Sequence, residues 1–306
     1  MRSAFSNAIV KLAKNDPQVL LLTGDHGYAL FDEFRKECPD QYINAGIAEQ
    51  NMVGMAAGLA KAGFKPIVYG LSAFIPIRVL EQIKLDVAHD DLPVIFIGDG
   101  AGFVYSHLGT SHQSTEDIAC ARVIPNLSVF SPADAFELTA CMESAYQSNS
   151  AIYIRMGKSD RNAVHPLPIS LKIGDLVAIK KNPDSALAFI ATGSLSSTAL
   201  ALAKAQYPNA SVWSAPYIKP INAEQVIGIC KQHQKIVTFE EHSIFGGLGS
   251  TIAEISSQYS PSHILRIGVE DCFSKHCGSY EYLLKEHGLD ESAISKKINR
   301  FLKVVF

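Results

Sequence analysis

The segment that constrains the fold most is residues 42–63, which read YINAGIAEQNMVGMAAGLAKAG. Tyr42–Asn44 is predicted to be a short strand, Gly46 a turn, and a helix is predicted to open near Glu49. Glu49 would then follow the carboxyl end of a strand, where α/β sheets bind ligands. An acidic residue there is also a favourable partner for the helix dipole, so position alone leaves both interpretations open. One face of this helix has almost no bulky side chains, which lets the backbone of another segment approach closely. Its small residues are Gly54, Ala56, Ala57, Gly58 and Ala60.

The rest of the chain alternates apolar runs with helical patterns, which predicts an α/β protein. The runs at 19–22, 65–70, 92–98, 129–132 and 152–157 are predicted strands. An HPLP turn and a Lys-Lys-Asn-Pro step follow, and they indicate a linker. We predict a first domain at 1–160, a linker at 161–184 and a second domain at 185–306.

Composition narrows the function classes. The net charge of the 306 residues is only −3, and no basic stripe indicates nucleic acid. No apolar run approaches the roughly 20 residues of a membrane span, and the N-terminal apolar stretch is too short for a signal peptide. The six cysteines are scattered, and CFSKHC at 272–277 has no second half-site for zinc. We expect a reduced, cytoplasmic protein with no metal ligands on this chain.

GIAEQN followed by a small-residue helix closely resembles the pyrimidine-binding domain of transketolases and deoxyxylulose-phosphate synthases. The resemblance runs from Arg2 to about residue 290. It implies a parallel-sheet thiamine pyrimidine-binding domain followed by a smaller mixed-sheet C-terminal domain. In that family the glutamate of this motif hydrogen-bonds a ring nitrogen of the thiamine aminopyrimidine and promotes loss of the thiazolium proton. Glu49 matches this catalytic position.

The same resemblance implies further residues around the cofactor. Phe74 matches the aromatic residue that stacks on the aminopyrimidine ring and keeps water away from Glu49. Tyr69 is a second, weaker candidate for cofactor binding. Asp25 matches an acidic residue that organises the cofactor pocket, and the adjacent His26 is a candidate substrate ligand. A core role for Phe74 and a solvated one for His26 stay open.

A predicted substrate loop follows the strand at 92–98. Its Gly109-Thr110-Ser111-His112-Gln113 matches the family's Gly-x-(Thr/Ser)-His-Gln run, in which the histidine lines the substrate channel. His112 would donate a hydrogen bond to substrate oxygens and stabilise developing charge there. Ordinary transketolases carry an aspartate where Leu108 stands, and that aspartate recognises a sugar hydroxyl. Leucine accepts no hydrogen bond, so we hypothesise a deoxy or otherwise modified sugar; ordinary turnover of xylulose 5-phosphate with ribose 5-phosphate would contradict this.

Two arginines match family residues that hold the substrate phosphate. Arg155 ends the strand at 152–157, and the planar fork of arginine suits phosphate oxygens. Arg2 stands just ahead of the predicted first helix, at 3–14. The second domain resembles the family's C-terminal domain in its Glu-Glu-His-Ser and Gly-Gly-Leu-Gly runs. That domain serves mainly in dimer contacts, and we assign it no catalytic residue.

Gly98-Asp99-Gly100 mimics the start of the family's metal-binding signature, and Asn126 mimics its end. We reject the match, because in the family that signature belongs to the other, diphosphate-binding domain.

Full-length transketolases are about twice as long and begin with that diphosphate-binding domain. We therefore expect the C-terminal subunit of a split enzyme, in which thiamine diphosphate is shared with an N-terminal partner subunit that binds Mg²⁺. The family's two-fold arrangement implies an α2β2 assembly acting on sugars. A 2-oxo-acid dehydrogenase beta subunit, a deoxyxylulose-phosphate-synthase-like enzyme that forms acyloins and a non-catalytic relative remain alternatives.

Overall fold

The computed structural model describes residues 1–27, 29–158 and 160–303, and these form two α/β units. The predicted fold class is confirmed: a mostly parallel sheet is followed by a smaller mixed one. The strands are β1 (Val19–Thr23), β2 (Tyr42–Asn44), β3 (Lys65–Leu71), β4 (Ile95–Asp99), β5 (Leu127–Phe130), β6 (Ala151–Met156), β7 (Val177–Lys180), β8 (Leu187–Ala191), β9 (Ser211–Ser214), β10 (Tyr217–Lys219), β11 (Lys235–Ser243) and β12 (His263–Val269). The helices are α1 (Arg2–Asn15), α2 (Asp32–Glu37), α3 (Glu49–Lys61), α4 (Leu80–Gln82), α5 (Asp117–Arg122), α6 (Ala135–Tyr146), α7 (Leu195–Ala205), α8 (Ala223–Gln232), α9 (Leu248–Tyr259), α10 (Tyr280–Glu286) and α11 (Glu291–Lys303).

The first sheet has seven strands in the order β10-β5-β6-β4-β3-β1-β2. All neighbours run parallel except β10, which pairs antiparallel with β5. β1, β4 and β6 are buried along their whole length, because α1 and α6 cover one face of the sheet and α3 covers the other. Strands buried on both faces read as continuous apolar runs, which is the pattern seen in the sequence. The parallel strands end at one edge, so the loops that follow them gather there.

The second sheet has five strands in the order β12-β11-β8-β9-β7, with β7 antiparallel to β9 and the other pairs parallel. β7 lies inside the segment predicted as a linker and forms the edge of this sheet. The second sheet therefore begins before residue 185. No helix within the described ranges has both the length and the apolarity needed to cross a lipid bilayer.

The two units share a strand and a buried polar interface. β10 comes from the second half of the chain but completes the edge of the first sheet. Glu241 on β11 accepts the backbone N–H of Phe103 at 2.7 Å. A Cβ on Gly102 would lie 2.2 Å from Glu241 Oε1, and its φ of +68° also favours glycine. The Glu-Glu-His-Ser run therefore joins the two units.

His242 is fully buried at this interface in its neutral form. Its Nδ1–H donates to Ser243 O at 2.8 Å, and its Nε2 accepts the N–H of Ala119 at 3.2 Å. Burial lowers the pKa of His242 to about 4, although the charge of Asp117 acts in the opposite direction. The unfolded chain, with a histidine pKa near 6.5, takes up the proton first. Stability is therefore lost as the pH falls from about 6.5 toward 4.

Between pH 7 and pH 4.5 the free energy of unfolding should fall less for His242→Asn than for the unmodified chain. We expect the two decreases to differ by on the order of 2–3 kcal/mol. Denaturant unfolding at both pH values measures the difference. His263→Asn, which changes an exposed histidine on β12, should follow the unmodified chain. Burial raises the pKa of the neighbouring Glu240 to about 7, so protonation of Glu240 stabilises the folded chain as the pH falls. Glu240 is present in every variant, and the effect of His242 is therefore measured as the difference between variants. Parallel profiles for His242→Asn and the unmodified chain would contradict the prediction.

Candidate active site

The candidate site lies at the edge where the parallel strands of the first sheet end. His26, Phe74 and His112 lie in the connections after β1, β3 and β4, and Glu49 begins the helix that follows β2. These four side chains come from separate stretches of sequence and were each predicted as site residues. Parallel topology explains their convergence, because every crossover returns the chain in the same direction.

Glu49 is the first residue of α3, and its side chain is only 9% exposed. Gly46 makes the turn that leads from β2 into the helix, with a φ of +71° that favours glycine. Asn44 Oδ1 accepts the N–H of Gly46 at 2.9 Å and closes this turn. The carboxylate thus lies at the positive end of the α3 dipole, which favours its negative charge. A buried carboxylate in this position is a strong acceptor of hydrogen bonds.

Arg78 is a candidate site residue that the sequence analysis did not identify. Its Nη1 donates to Glu49 Oε1 at 2.9 Å, and its guanidinium carbon lies 3.8 Å from the ring centroid of Phe74. The side chain is 45% exposed, so it links a buried carboxylate to solvent. The available signal was its position as the only charged residue between Lys65 and Glu81. A lone arginine in an apolar stretch that follows a strand is therefore a feature from which a site role could have been predicted.

Phe74 contacts His112 as well as Arg78. The two rings meet edge to face, with centroids 5.3 Å apart, and Ser111 Oγ lies 2.9 Å from His112 Nδ1. Phe74 is half-buried, so it is a rim residue and not part of the core. Glu49, Arg78, Phe74 and His112 therefore form one continuous cluster, called here the Glu49 cluster.

His26 lies in the loop after β1, half-buried beside the same edge. Among the described residues, none makes a hydrogen bond with its Nε2. Burial lowers the pKa of His26, although the charges of Glu49, Asp99 and Asp25 act to raise it. The imidazole is therefore neutral near pH 7, and its Nε2 is enclosed without a hydrogen-bond partner among the described residues. Asp25 is exposed in the same loop.

The predicted cofactor-binding role of Tyr69 needs correction. Tyr69 is 1% exposed and packs against Phe5 and Phe31, with ring centroids 5.8 and 4.8 Å away. Its hydroxyl donates to Asp99 Oδ2 at 2.7 Å. The ring is enclosed between α1 and the sheet, so a cofactor cannot stack on it without displacing the core.

The predicted phosphate-binding role of Arg155 also needs correction. Its side chain is 2% exposed, and its Nε donates to both carboxylate oxygens of Asp117, at 2.8 and 3.1 Å. Its Nη2 donates to the carbonyl oxygens of Ser114 at 3.2 Å and Glu241 at 2.7 Å. The guanidinium thus fastens the loop that follows His112 and the second unit to β6. A group enclosed in this way does not face a substrate phosphate.

Arg2 belongs to the first turn of α1 and does not precede the helix as predicted. Its side chain is 49% exposed, and its Nε lies 3.7 Å from Asp99 Oδ2. Asp99 itself is nearly buried and accepts hydrogen bonds from Tyr69 and from Tyr105. Asp99 is therefore bound within its own unit, and Arg2 keeps exposed donors beside it.

Leu108 ends a short helical turn in the loop that carries His112. Gly109, with a φ of +80°, separates this turn from the next one, Thr110–His112. The Leu108 side chain is 47% exposed. It is therefore free to meet a ligand or another chain beside His112.

The structure gives no metal-binding constellation within the described ranges, where no group of three or more His, Cys, Asp or Glu side chains could hold an ion. Cys272 and Cys277 of the CFSKHC segment are exposed free thiols.

Comparison with known families and proteins adds independent findings. Residues 1–162 match the family described as transketolase, pyrimidine binding domain, and residues 177–294 match transketolase, C-terminal domain. The chain is 34% identical over 310 residues to a putative transketolase C-terminal section from Methanocaldococcus jannaschii, covering 99% of this chain and 96% of that protein. It is 31% identical over 307 residues to a subunit of an apulose-4-phosphate transketolase from Phocaeicola vulgatus, covering 99% and 97%.

A solved structure described as a split gene transketolase, inactive beta4 tetramer, is also similar. It shares 32% identity with a TM-score of 0.88, covering 98% of this chain and 97% of that one. The chain matches 1-deoxy-D-xylulose-5-phosphate synthases as well, but it spans about half their length. That of Pasteurella multocida is 34% identical, with 48% of its length covered.

Proposed function

This chain belongs to the transketolase family, and we propose that it is the C-terminal subunit of a split transketolase that transfers a two-carbon ketol unit between sugars. The Glu49 cluster is the observation that carries this proposal. It joins a buried carboxylate, a half-buried aromatic ring and a histidine at the ligand-binding edge of a parallel sheet. Relatives named as a C-terminal section or a subunit, which align with the chain almost end to end, support the split arrangement.

The side chains of the cluster fit the pyrimidine half of thiamine diphosphate. When bound, that cofactor supplies the carbanion chemistry for breaking and forming the carbon–carbon bond. Glu49 would share one proton with a ring nitrogen of the aminopyrimidine: its carboxyl O–H would donate to the nitrogen lone pair, or its carboxylate would accept from the protonated nitrogen. Phe74 would stack on the aminopyrimidine ring and exclude water. It would use the face of its own ring opposite the Arg78 guanidinium. His112 and His26 would donate hydrogen bonds to substrate oxygens, and Asp25 would support the pocket from the adjacent loop.

We assign the diphosphate and its Mg²⁺ to the partner subunit. Asp99, the acidic residue of Gly98-Asp99-Gly100, already accepts hydrogen bonds from two tyrosines, which supports leaving the metal off this chain. The partner would cover the exposed side of α3, where a Cβ on Gly54 or Gly58 would meet no other atom within 4 Å. Ile47, 81% exposed just before Glu49, extends this surface. An α2β2 assembly of two such pairs is part of the proposal.

The sugar phosphate would be bound by exposed cations at the same edge, for which Arg2 is our candidate. The exposed Leu108 beside His112 favours a sugar that lacks or modifies the hydroxyl read by ordinary transketolases. We also propose a cytoplasmic location, since the six cysteines are free.

A deoxyxylulose-phosphate-synthase-like reaction is the second candidate, because those enzymes match this chain at similar identity. The two candidate reactions are distinguished by the donor that the complex turns over. A transketolase uses a ketol donor such as xylulose 5-phosphate, whereas a deoxyxylulose-phosphate-synthase-like enzyme uses pyruvate. A 2-oxo-acid dehydrogenase beta subunit would instead require a lipoyl acceptor.

Calorimetry of thiamine diphosphate with Mg²⁺ tests the split arrangement. We expect binding to a mixture of this chain with its N-terminal partner, and none to this chain alone. Tight binding to the lone chain would overturn the shared site. Absence of binding in both cases would favour a non-catalytic relative.

We expect Arg78→Ala to weaken cofactor binding in the complex by roughly 3- to 10-fold, because the half-exposed ion pair holds Glu49 in place. Arg78→Lys keeps the charge but not the planar fork over Phe74, so its affinity should be intermediate. Titration calorimetry on the three complexes measures this. Tighter binding to Arg78→Ala would contradict the prediction and would show that the ion pair obstructs the site.

A further inference from the structure

A loop of the second unit rests against the loop that carries His112. Ser274, in the segment 272–277, donates from its Oγ to Gln113 Oε1 at 2.8 Å. Cys277 of the same segment lies close to Gly109, since a Cβ on that glycine would be 3.2 Å from the sulfur. The second unit therefore touches the substrate loop on both sides of His112.

Ser274 is itself held by His287. The hydroxyl oxygen lies 2.9 Å from His287 Nε2. Because the Ser274 proton is given to Gln113, the imidazole N–H must be the donor in this second bond. His287 is nearly buried and stacks on Phe103, with ring centroids 4.7 Å apart and planes 18° apart. The backbone N–H of Phe103 in turn donates to Glu241, so the series of contacts begins in the buried interface between the units.

Gln113 links the position of Ser274 to the position of His112. It directly follows the turn Thr110–His112, and its N–H closes that turn on Thr110 O at 3.2 Å. The Gln113 side chain is 6% exposed, so it lies under the loop and not in the solvent. Moving its carboxamide would move the neighbouring histidine, whose ring contacts Phe74. Hydrogen bonds within its own short turns, such as His112 N–H to Gly109 O at 3.0 Å, also hold the loop around Gly109. Beyond Gln113, Ser114 O accepts from Arg155 Nη2 at 3.2 Å.

We propose that Ser274, oriented by His287, is a positioning residue that sets the place of His112 in the substrate channel. The proposal rests on the function proposed above for His112. It gives the C-terminal domain a part in substrate binding, beyond contacts between subunits. A polar bond, unlike apolar packing, fixes both the distance and the direction of Gln113.

The test compares three variants in the complex with the partner subunit. Ser274→Ala removes the hydroxyl, Ser274→Thr keeps it, and Ser257→Ala removes an exposed hydroxyl that bonds only locally, to Glu254 O on α9. Hydrogen–deuterium exchange of peptides covering 105–113 measures the protection of the loop. Steady-state kinetics measures the site, with the ketol donor that the unmodified complex turns over in a screen of ordinary and deoxy ketose phosphates.

We expect Ser274→Ala to exchange faster in 105–113 and to raise KM for the donor by roughly 3- to 10-fold, with a smaller change in kcat. Thiamine diphosphate affinity should stay unchanged, and Ser274→Thr and Ser257→Ala should match the unmodified complex. Unchanged exchange, or faster exchange with an unchanged KM, would overturn the proposal. The proposal would also be overturned if Ser274→Thr, which keeps the hydroxyl, raised KM as much as Ser274→Ala does. If the unmodified complex neither binds the cofactor nor turns over the donor, the proposed function fails, and the positioning of His112 for substrate fails with it, whatever the exchange data show.

Discussion

Glu49→Ala, assembled with the partner subunit, is expected to lose roughly 10²- to 10⁴-fold in kcat. The carboxylate is the only acidic group of the Glu49 cluster, and α3 holds it at the edge of the sheet. The two groups that contact Glu49 or would stack on the ring cannot accept and return a proton there, because Arg78 is permanently protonated and Phe74 has no polar atom. His112, the remaining member of the cluster, is assigned to the substrate oxygens. Turnover of a ketol donor by matched complexes measures the loss.

Two controls give this result its meaning. Glu49→Gln keeps the shape but not the carboxylate, so we expect a comparable loss. Glu81→Ala changes an exposed glutamate on the short helix after Arg78 and should leave kcat unchanged. Activity close to that of the unmodified complex in Glu49→Ala would remove the mechanism proposed here. Loss of complex formation would be detected separately by size-exclusion chromatography.

Arg155→Ala is expected to lower the free energy of unfolding by about 3–5 kcal/mol. The substitution leaves the fully buried carboxylate of Asp117 without its ion-pair partner and frees the carbonyl oxygens of Ser114 and Glu241. Asp117 keeps only one other side-chain donor that the structure shows, the hydroxyl of Tyr153 at 2.7 Å. Denaturant unfolding of the isolated chain measures the change.

The matched control is an exposed ion pair in the second unit. Lys297→Ala breaks the pair with Glu270, whose side chains are 33% and 57% exposed, and should cost less than about 1 kcal/mol. A phosphate ligand at Arg155 would give the opposite result: unchanged stability with a raised KM for the sugar phosphate. That outcome would restore the phosphate-binding role predicted from sequence.

Glu49, Phe74 and Arg155 differ in how far the local sequence specifies their surroundings. Glu49 and Phe74 each follow a strand and precede a helical segment, and parallel topology then forces them to the same edge. Arg155 lies within a strand, and its surroundings come from Asp117 and Glu241, 38 and 86 positions away. Tyr69 failed for the same reason, since α1 covers its ring.

The sequence by itself determined the fold class, the positions of most strands along the chain and the turn at Gly46 that starts α3 at Glu49. These features depend on local periodicity and backbone sterics, which a short stretch of chain specifies. Only the tertiary structure decided that β10 crosses to the first sheet, that Arg155 is enclosed, that Arg78 pairs with Glu49 and that Ser274 reaches Gln113. Each of these depends on which distant side chain meets a given group and excludes water from it. Periodicity indicates the face on which a residue lies, but not the partner that it meets there.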